Sequence, residues 1–189
     1  MTKTNTKVRS KRYTASPTFG FSEEMITAPS NSPLGSYRNS AWSAFKEEAM
    51  PTTKDEAWRR TDLRKISFDS FQLPANGAFN DLAPVPEALL APLVGDQHGG
   101  QITLLAGGAK VSLAPEIAKK GVVFTDFKTA EKEHPELLEK LIGNVVRAED
   151  GKFAALTAAL SQNGILLYVP RGVQVEEPLH SVLWGAGEN

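Results

Sequence analysis

A helix, a stop and a short apolar strand succeed one another near the carboxyl end of this chain, and that succession constrains its fold more than any other feature. The run Phe153-Ala-Ala-Leu-Thr-Ala-Ala-Leu-Ser-Gln-Asn-Gly-Ile-Leu-Leu-Tyr-Val-Pro170 carries it. Gly164 is expected to take the left-handed conformation that closes a helix. Ile165 to Val169 is a continuous apolar run suited to a strand buried on both faces, and Pro170 ends it. Arg171-Gly172 then makes a turn, Val173 to Glu177 alternates apolar and polar residues, Pro178 interrupts, and Leu179 to Trp184 is again extended. A buried strand needs neighbours, so this end reads as the first strands of a sheet continued elsewhere, in the front part of a longer protein.

The rest of the chain leads into that sheet. Trp42 and Phe45, with Ala41 and Ala49, share one face at helical spacing, while Lys46, Glu47 and Glu48 lie away from it, and Pro51 ends the helix. Thr53 followed by Glu56 forms a capping-box pattern, which predicts a helix from about Lys54 to Arg64 with Trp58 as its core anchor. The alternative for Trp58 is a surface aromatic in a partner site. Ser67 to Gly100 is proline-rich and reads as loop around a short helix at Glu87 to Leu90. Two apolar runs from Ile102 to Leu113 flank Gly107-Gly108, a pair able to supply the positive φ angles of a tight hairpin. No Gly-Lys-Ser/Thr ending follows, so a phosphate loop is disfavoured there.

Downstream, Pro115 to Lys120 predicts a helical turn closed by Gly121, and Val122 to Phe124 a short strand. Asp126 is placed to cap a helix through His134, and Pro135 to open another that stops at Gly143 with Leu137, Leu138 and Leu141 on its apolar face. The fold class is therefore α+β. Residues 1–35 form a basic tail, 36–150 a mixed helical region with a small hairpin, and 151–189 the start of the sheet. The tail holds Lys3, Lys7, Arg9, Lys11 and Arg12 with no acid before Glu23, and is too poor in apolar residues to offset its ordering entropy. It reads as disordered; as an organellar transit peptide it lacks a strong amphipathic face.

Composition narrows the function classes. The 189 residues carry 21 basic and 22 acidic groups, a net charge of -1, so no global field favours nucleic acid or an anionic membrane. The absence of cysteine excludes thiolate ligands, thioester chemistry and cysteine ligation of iron-sulfur clusters within these residues. No apolar stretch approaches the roughly 20 residues needed to span a bilayer. The expected setting is the cytoplasm.

Catalytic constellations are scarce. His98, His134 and His180 lack the close partners of a metal site. His180-Ser181 has no nucleophile elbow nearby, and Glu176-Glu177 point to opposite strand faces, badly placed to cooperate as acid and base. No catalytic, cofactor-binding or metal-binding residue is assigned.

Two stretches carry a resemblance. Pro51-Thr-Thr-Lys-Asp-Glu-Ala-Trp-Arg-Arg-Thr-Asp-Leu63 and Phe153 to Leu179 resemble the amino-terminal half of the SufB/SufD family of iron-sulfur cluster assembly proteins, the first stretch the SufD branch in particular. Gly121 to Gly143 fits the family's order of a strand, an acidic helix and a turn like His134-Pro-Glu-Leu137. Thr157 departs from the pattern, where Asn is expected in a packing or turn-supporting role. The resemblance implies a helical amino-terminal region, a central right-handed parallel β-helix whose early strands are Ile165 to Val169 and Leu179 to Trp184, and a carboxyl-terminal helical segment.

It further implies a scaffold subunit without enzymatic activity of its own. Its partners would be SufB-like and SufC-like subunits. The assembled complex would handle an iron-sulfur cluster, with ATP used by the SufC-like ATPase. The family's cluster-building residues lie towards the carboxyl end, so none carries over to this chain. From a different class, the competing reading is a self-contained α+β enzyme domain binding a small molecule through the hairpin and helices.

Overall fold

The computed structural model describes residues 19–26, 31–73, 84–91, 97–105 and 108–184. Helices α1 (Pro33–Glu47), α2 (Glu87–Leu90), α3 (Pro115–Lys119), α4 (Phe127–Glu133), α5 (Pro135–Leu141) and α6 (Lys152–Leu160) are interleaved with five strands. These are β1 (Gly100–Leu105), β2 (Gly108–Leu113), β3 (Val123–Asp126), β4 (Ile165–Tyr168) and β5 (Leu179–Leu183). The chain is thus α+β, as the sequence predicts. It divides into two compact units, one formed by the chain up to Phe21 with Ala49–Gln72, the other by Ser22–Glu48 with Leu73–Asn189.

In the first unit the predicted helix from Lys54 to Arg64 does not form. Short 3-10 turns at Glu56–Trp58, Leu63–Lys65 and Phe68–Ser70 take its place. Side chains capture the backbone instead: the Asp55 carboxylate accepts from the Thr52 amide at 2.7 Å, and Asp62 accepts from the Arg64 amide at 3.1 Å while gripping its guanidinium. Such local bonds offer the chain an alternative to the helical ladder. The anchor also changes. Trp58 is only half-buried, whereas Leu63 and Phe68 are buried and the Phe19 ring lies 4.7 Å from that of Phe68.

In the second unit α1 begins three residues before the predicted onset of order at Ser36. The Ser32 hydroxyl accepts from the Gly35 amide at 3.1 Å and Pro33 occupies the first turn, a good helix start. Order thus reaches into the stretch read as tail; residues 1–18 lie outside the described residues. The helix stops at Glu47, leaving Ala49 exposed and outside the predicted apolar face. Ala41, Trp42 and Phe45 are buried, with the two rings stacked 5.0 Å apart. They pack on α6, whose buried Ala155, Ala158 and Ala159 let the helices approach closely. Leu34, Ala130, Leu138 and Leu166 form a core where α1, α4, α5 and β4 converge.

Two sheets complete this unit. One has the order β2-β1-β5 and the other pairs β3 with β4. The hairpin forms with Leu105 opposite Gly108. Gly108 takes no positive φ, and Gly107 lies outside the described residues. Gly121 and Gly143 close α3 and α5 with φ of 81° and 72°, and Gly172 turns the chain after Pro170 with φ of 83°. Gly164 behaves differently from the prediction. Its φ is not positive; a Cβ there would stand 2.6 Å from Cε2 of Phe127, so close approach, not backbone conformation, requires the glycine.

The carboxyl-terminal strands also correct one expectation. β4 is antiparallel to β3 and buries Leu166, but Leu167 is 48% exposed, so only one face of the strand is covered. β5 lies in the other sheet, parallel to β1 with Gly100 opposite Leu179.

Candidate functional site

The three histidines do not converge. His134 stands at the amino end of α5 with Nδ1 4.0 Å from Glu136. The buried Nδ1 of His98 has no hydrogen-bond partner. His180 on β5 faces Gln101 on β1, whose side-chain amide donates both to the Leu90 carbonyl and, at 3.0 Å, to His180 Nδ1. That pairing ties α2 to the sheet and leaves Nδ1 as the acceptor. Glu176 and Glu177 are both exposed. Among the described residues no group of three His, Cys, Asp or Glu side chains could hold a metal ion, and no helix is long and apolar enough to cross a membrane.

A cleft of about 580 Å³ opens instead in the second unit, lined by Leu34, Tyr37 and Arg38 of α1, Phe127 of α4, and Phe153 and Thr157 of α6. Its position follows from the helix spacing, since Arg38, Ala41, Trp42 and Phe45 form one i, i+3, i+4, i+7 stripe. The last three fill the contact with α6. Arg38 begins the same stripe one turn earlier, where α6 ends.

Arg38 is the unusual group. It is only 5% exposed, and its Nη2 donates to the Ser161 carbonyl at 2.6 Å, satisfying a group just beyond the carboxyl end of α6. Burial pushes its pKa below the ordinary arginine value, and the charge of Glu131 opposes that shift. The Glu131 Oε1 atom is itself buried without a hydrogen-bond partner. Tyr37 is shifted upward, by burial and then by Glu149. Thr157, where Asn is expected, is exposed and lines the cleft, and its carbonyl accepts from the Ser161 amide at 3.0 Å.

The sequence reading missed Arg38. The signal was its place one turn ahead of Ala41 and Trp42 on the apolar stripe, where an isolated cation has to be buried.

A second polar cluster fixes the far side of α4. Burial would raise the Asp126 carboxyl, but Thr129, Asn163 and the amides of residues 128 and 129 outweigh it and hold the group below the usual carboxylate range. Asn163 donates to Asp126 Oδ2 at 2.9 Å and accepts from the Gly164 amide at 2.9 Å. Asp126 thus stands at the amino end of α4 as predicted.

Comparison with known proteins matches residues 9–180 to the SufBD protein N-terminal region. Iron-sulfur cluster assembly protein SufD of Bacillus subtilis (strain 168) is 36% identical over 135 residues, covering 69% of this chain and 29% of that protein. An iron-sulfur cluster assembly SufBD family protein of Staphylococcus aureus (strain USA300) is 36% identical over 140 residues, covering 68% of this chain and 30% of the relative. The chain therefore spans less than a third of the length of these curated relatives.

Proposed function

Because this chain belongs to the SufB/SufD family, matching its amino-terminal region over residues 9–180, we propose that it acts in iron-sulfur cluster assembly as the amino-terminal part of a SufD-type scaffold subunit. The observation that carries this reading is the 36% identity to a SufD over 69% of the chain. In this role the subunit has no catalytic step of its own; the cluster is cargo, and SufB-like and SufC-like proteins are its partners in the cytoplasm. The parallel pairing of β5 with β1 supports the opening of a parallel β-helix, because a strand added in that direction at the carboxyl end is how such a coil begins.

The test is cellular. Deleting the gene should lower the activity of iron-sulfur enzymes such as aconitase under iron limitation, and restoring it should recover them. Tagged protein should also copurify with SufB-like and SufC-like subunits. Unchanged iron-sulfur enzyme activity together with no copurification would overturn the proposal.

A further inference from the structure

Cluster assembly leaves the α1–α6 cleft without a role. Arg38 lines that cleft and is almost wholly buried, yet the hydrogen bond it makes is to one main-chain carbonyl, of Ser161. Glu131 favours its charge from a distance, but the two groups close no ion pair. A buried guanidinium is stable when it is both charge-paired and fully hydrogen-bonded. Among the described residues Arg38 closes no ion pair, and its hydrogen bond is to the Ser161 carbonyl. No acidic side chain is among the residues that line the cleft with it.

The walls supply the other half of the chemistry. Phe127, Ile142 and Phe153 give an apolar surface, Ala154 leaves room between them, and Val146 at 62% exposure extends the apolar rim outward. The volume, about 580 Å³, lies inside the roughly 300–1,000 Å³ range of small-molecule clefts. One nearly buried cation among apolar walls selects a ligand with one anionic end and an apolar body. A planar carboxylate suits a guanidinium best, because both its oxygens meet parallel donors.

We propose that this cleft binds a small amphipathic carboxylate, with its carboxylate on Arg38 and its aliphatic body against Phe127, Ile142 and Phe153. Its role lies beyond the scaffold function and does not depend on it.

Calorimetric titration of the 189-residue chain with decanoate and with 1-decanol, both below micelle-forming concentration, tests the site. Decanoate should bind about tenfold or more tighter than decanol. Arg38→Met should erase that preference, leaving the two ligands alike. Ala154→Leu, which fills the cleft without altering Arg38, should weaken decanoate at least as strongly. Equal affinities for the two ligands in the unaltered chain, or a carboxylate preference surviving Arg38→Met, would overturn the proposal. Should Arg38→Met fail to fold, the Ala154→Leu result decides: decanoate affinity unchanged from the parent refutes the site, and a loss supports it.

Discussion

Lys152 stands over the ring of Phe45 with its ammonium 4.0 Å from the ring centroid, and it donates to the carbonyl of that same residue. One side chain at the start of α6 thus grips both the face and the main chain of a residue in the last turns of α1. Lys152→Met keeps most of the aliphatic stem and removes the charge. The loss should be about 1–2 kcal/mol, from a cation–π contact and a charge-assisted hydrogen bond at a partly covered site. Urea unfolding of the two proteins measures it, and equal midpoints would show that the contact contributes nothing.

Gly164→Ala should destabilise the chain by about 1–3 kcal/mol, because the new methyl would drive into the Phe127 ring. The backbone there is not left-handed, so the penalty is steric and can be relieved from the other side. Combining it with Phe127→Leu should therefore cost less than the sum of the two single changes. Simple additivity in the double-mutant cycle would mean that the ring is not what requires the glycine.

Asp126 predicts an acid-side effect. Its folded pKa lies below the unfolded value of 3.8, so its contribution is present above 3.8 and is lost as pH falls through the folded pKa. Asp126→Asn can still accept from Asn163 but cannot titrate. The thermal midpoint of the parent chain should fall more steeply below pH 3.8 than that of the variant. Parallel curves would remove Asp126 from the acid response.

In the smaller unit the aromatic hierarchy is reversed from what the sequence suggests. Phe68→Ala should cost about 3–5 kcal/mol of that unit's stability, since the ring is buried against Phe19. Trp58→Ala should cost nearer ~1 kcal/mol, because the indole is only half-buried in a 3-10 turn. Hydrogen exchange of amides in 49–72 separates the two, and the opposite order would restore Trp58 as the anchor.

These contrasts show what the sequence makes legible. The α6–Asn163–Gly164–β4 succession, the β1–β2 hairpin and the helix stops at Gly121 and Gly143 are local, and the sequence places them correctly, although neither Gly164 nor Gly108 takes the positive φ expected of it. Thr53 and Glu56 mislead because Asp55 and Asp62 tie down the nearby amides of Thr52 and Arg64 in local turns, a contest that pattern reading does not score. Gly164 is needed for its neighbour Phe127, 37 positions upstream of which the chain gives no sign, as the Asn163 to Asp126 contact also spans 37 residues. The cleft is less legible still. Arg38 reads as an ordinary helix cation until Ser161, 123 residues away, is brought against it. The pairing of β5 with β1 likewise has no short-range signal.

That last pairing sets an order of events. Gln101 and His180 are 79 residues apart, so during synthesis the β1–β2 hairpin leaves the ribosome long before the strand that will lie beside it. Until β5 emerges, one edge of β1 is open to other chains, and Ile102 and Leu104, buried in the finished sheet, sit on that waiting strand. The nascent chain is therefore most vulnerable to mispairing over the interval between residues 113 and 179, where a pause in translation would lengthen the exposure and a chaperone holding the hairpin would shorten it.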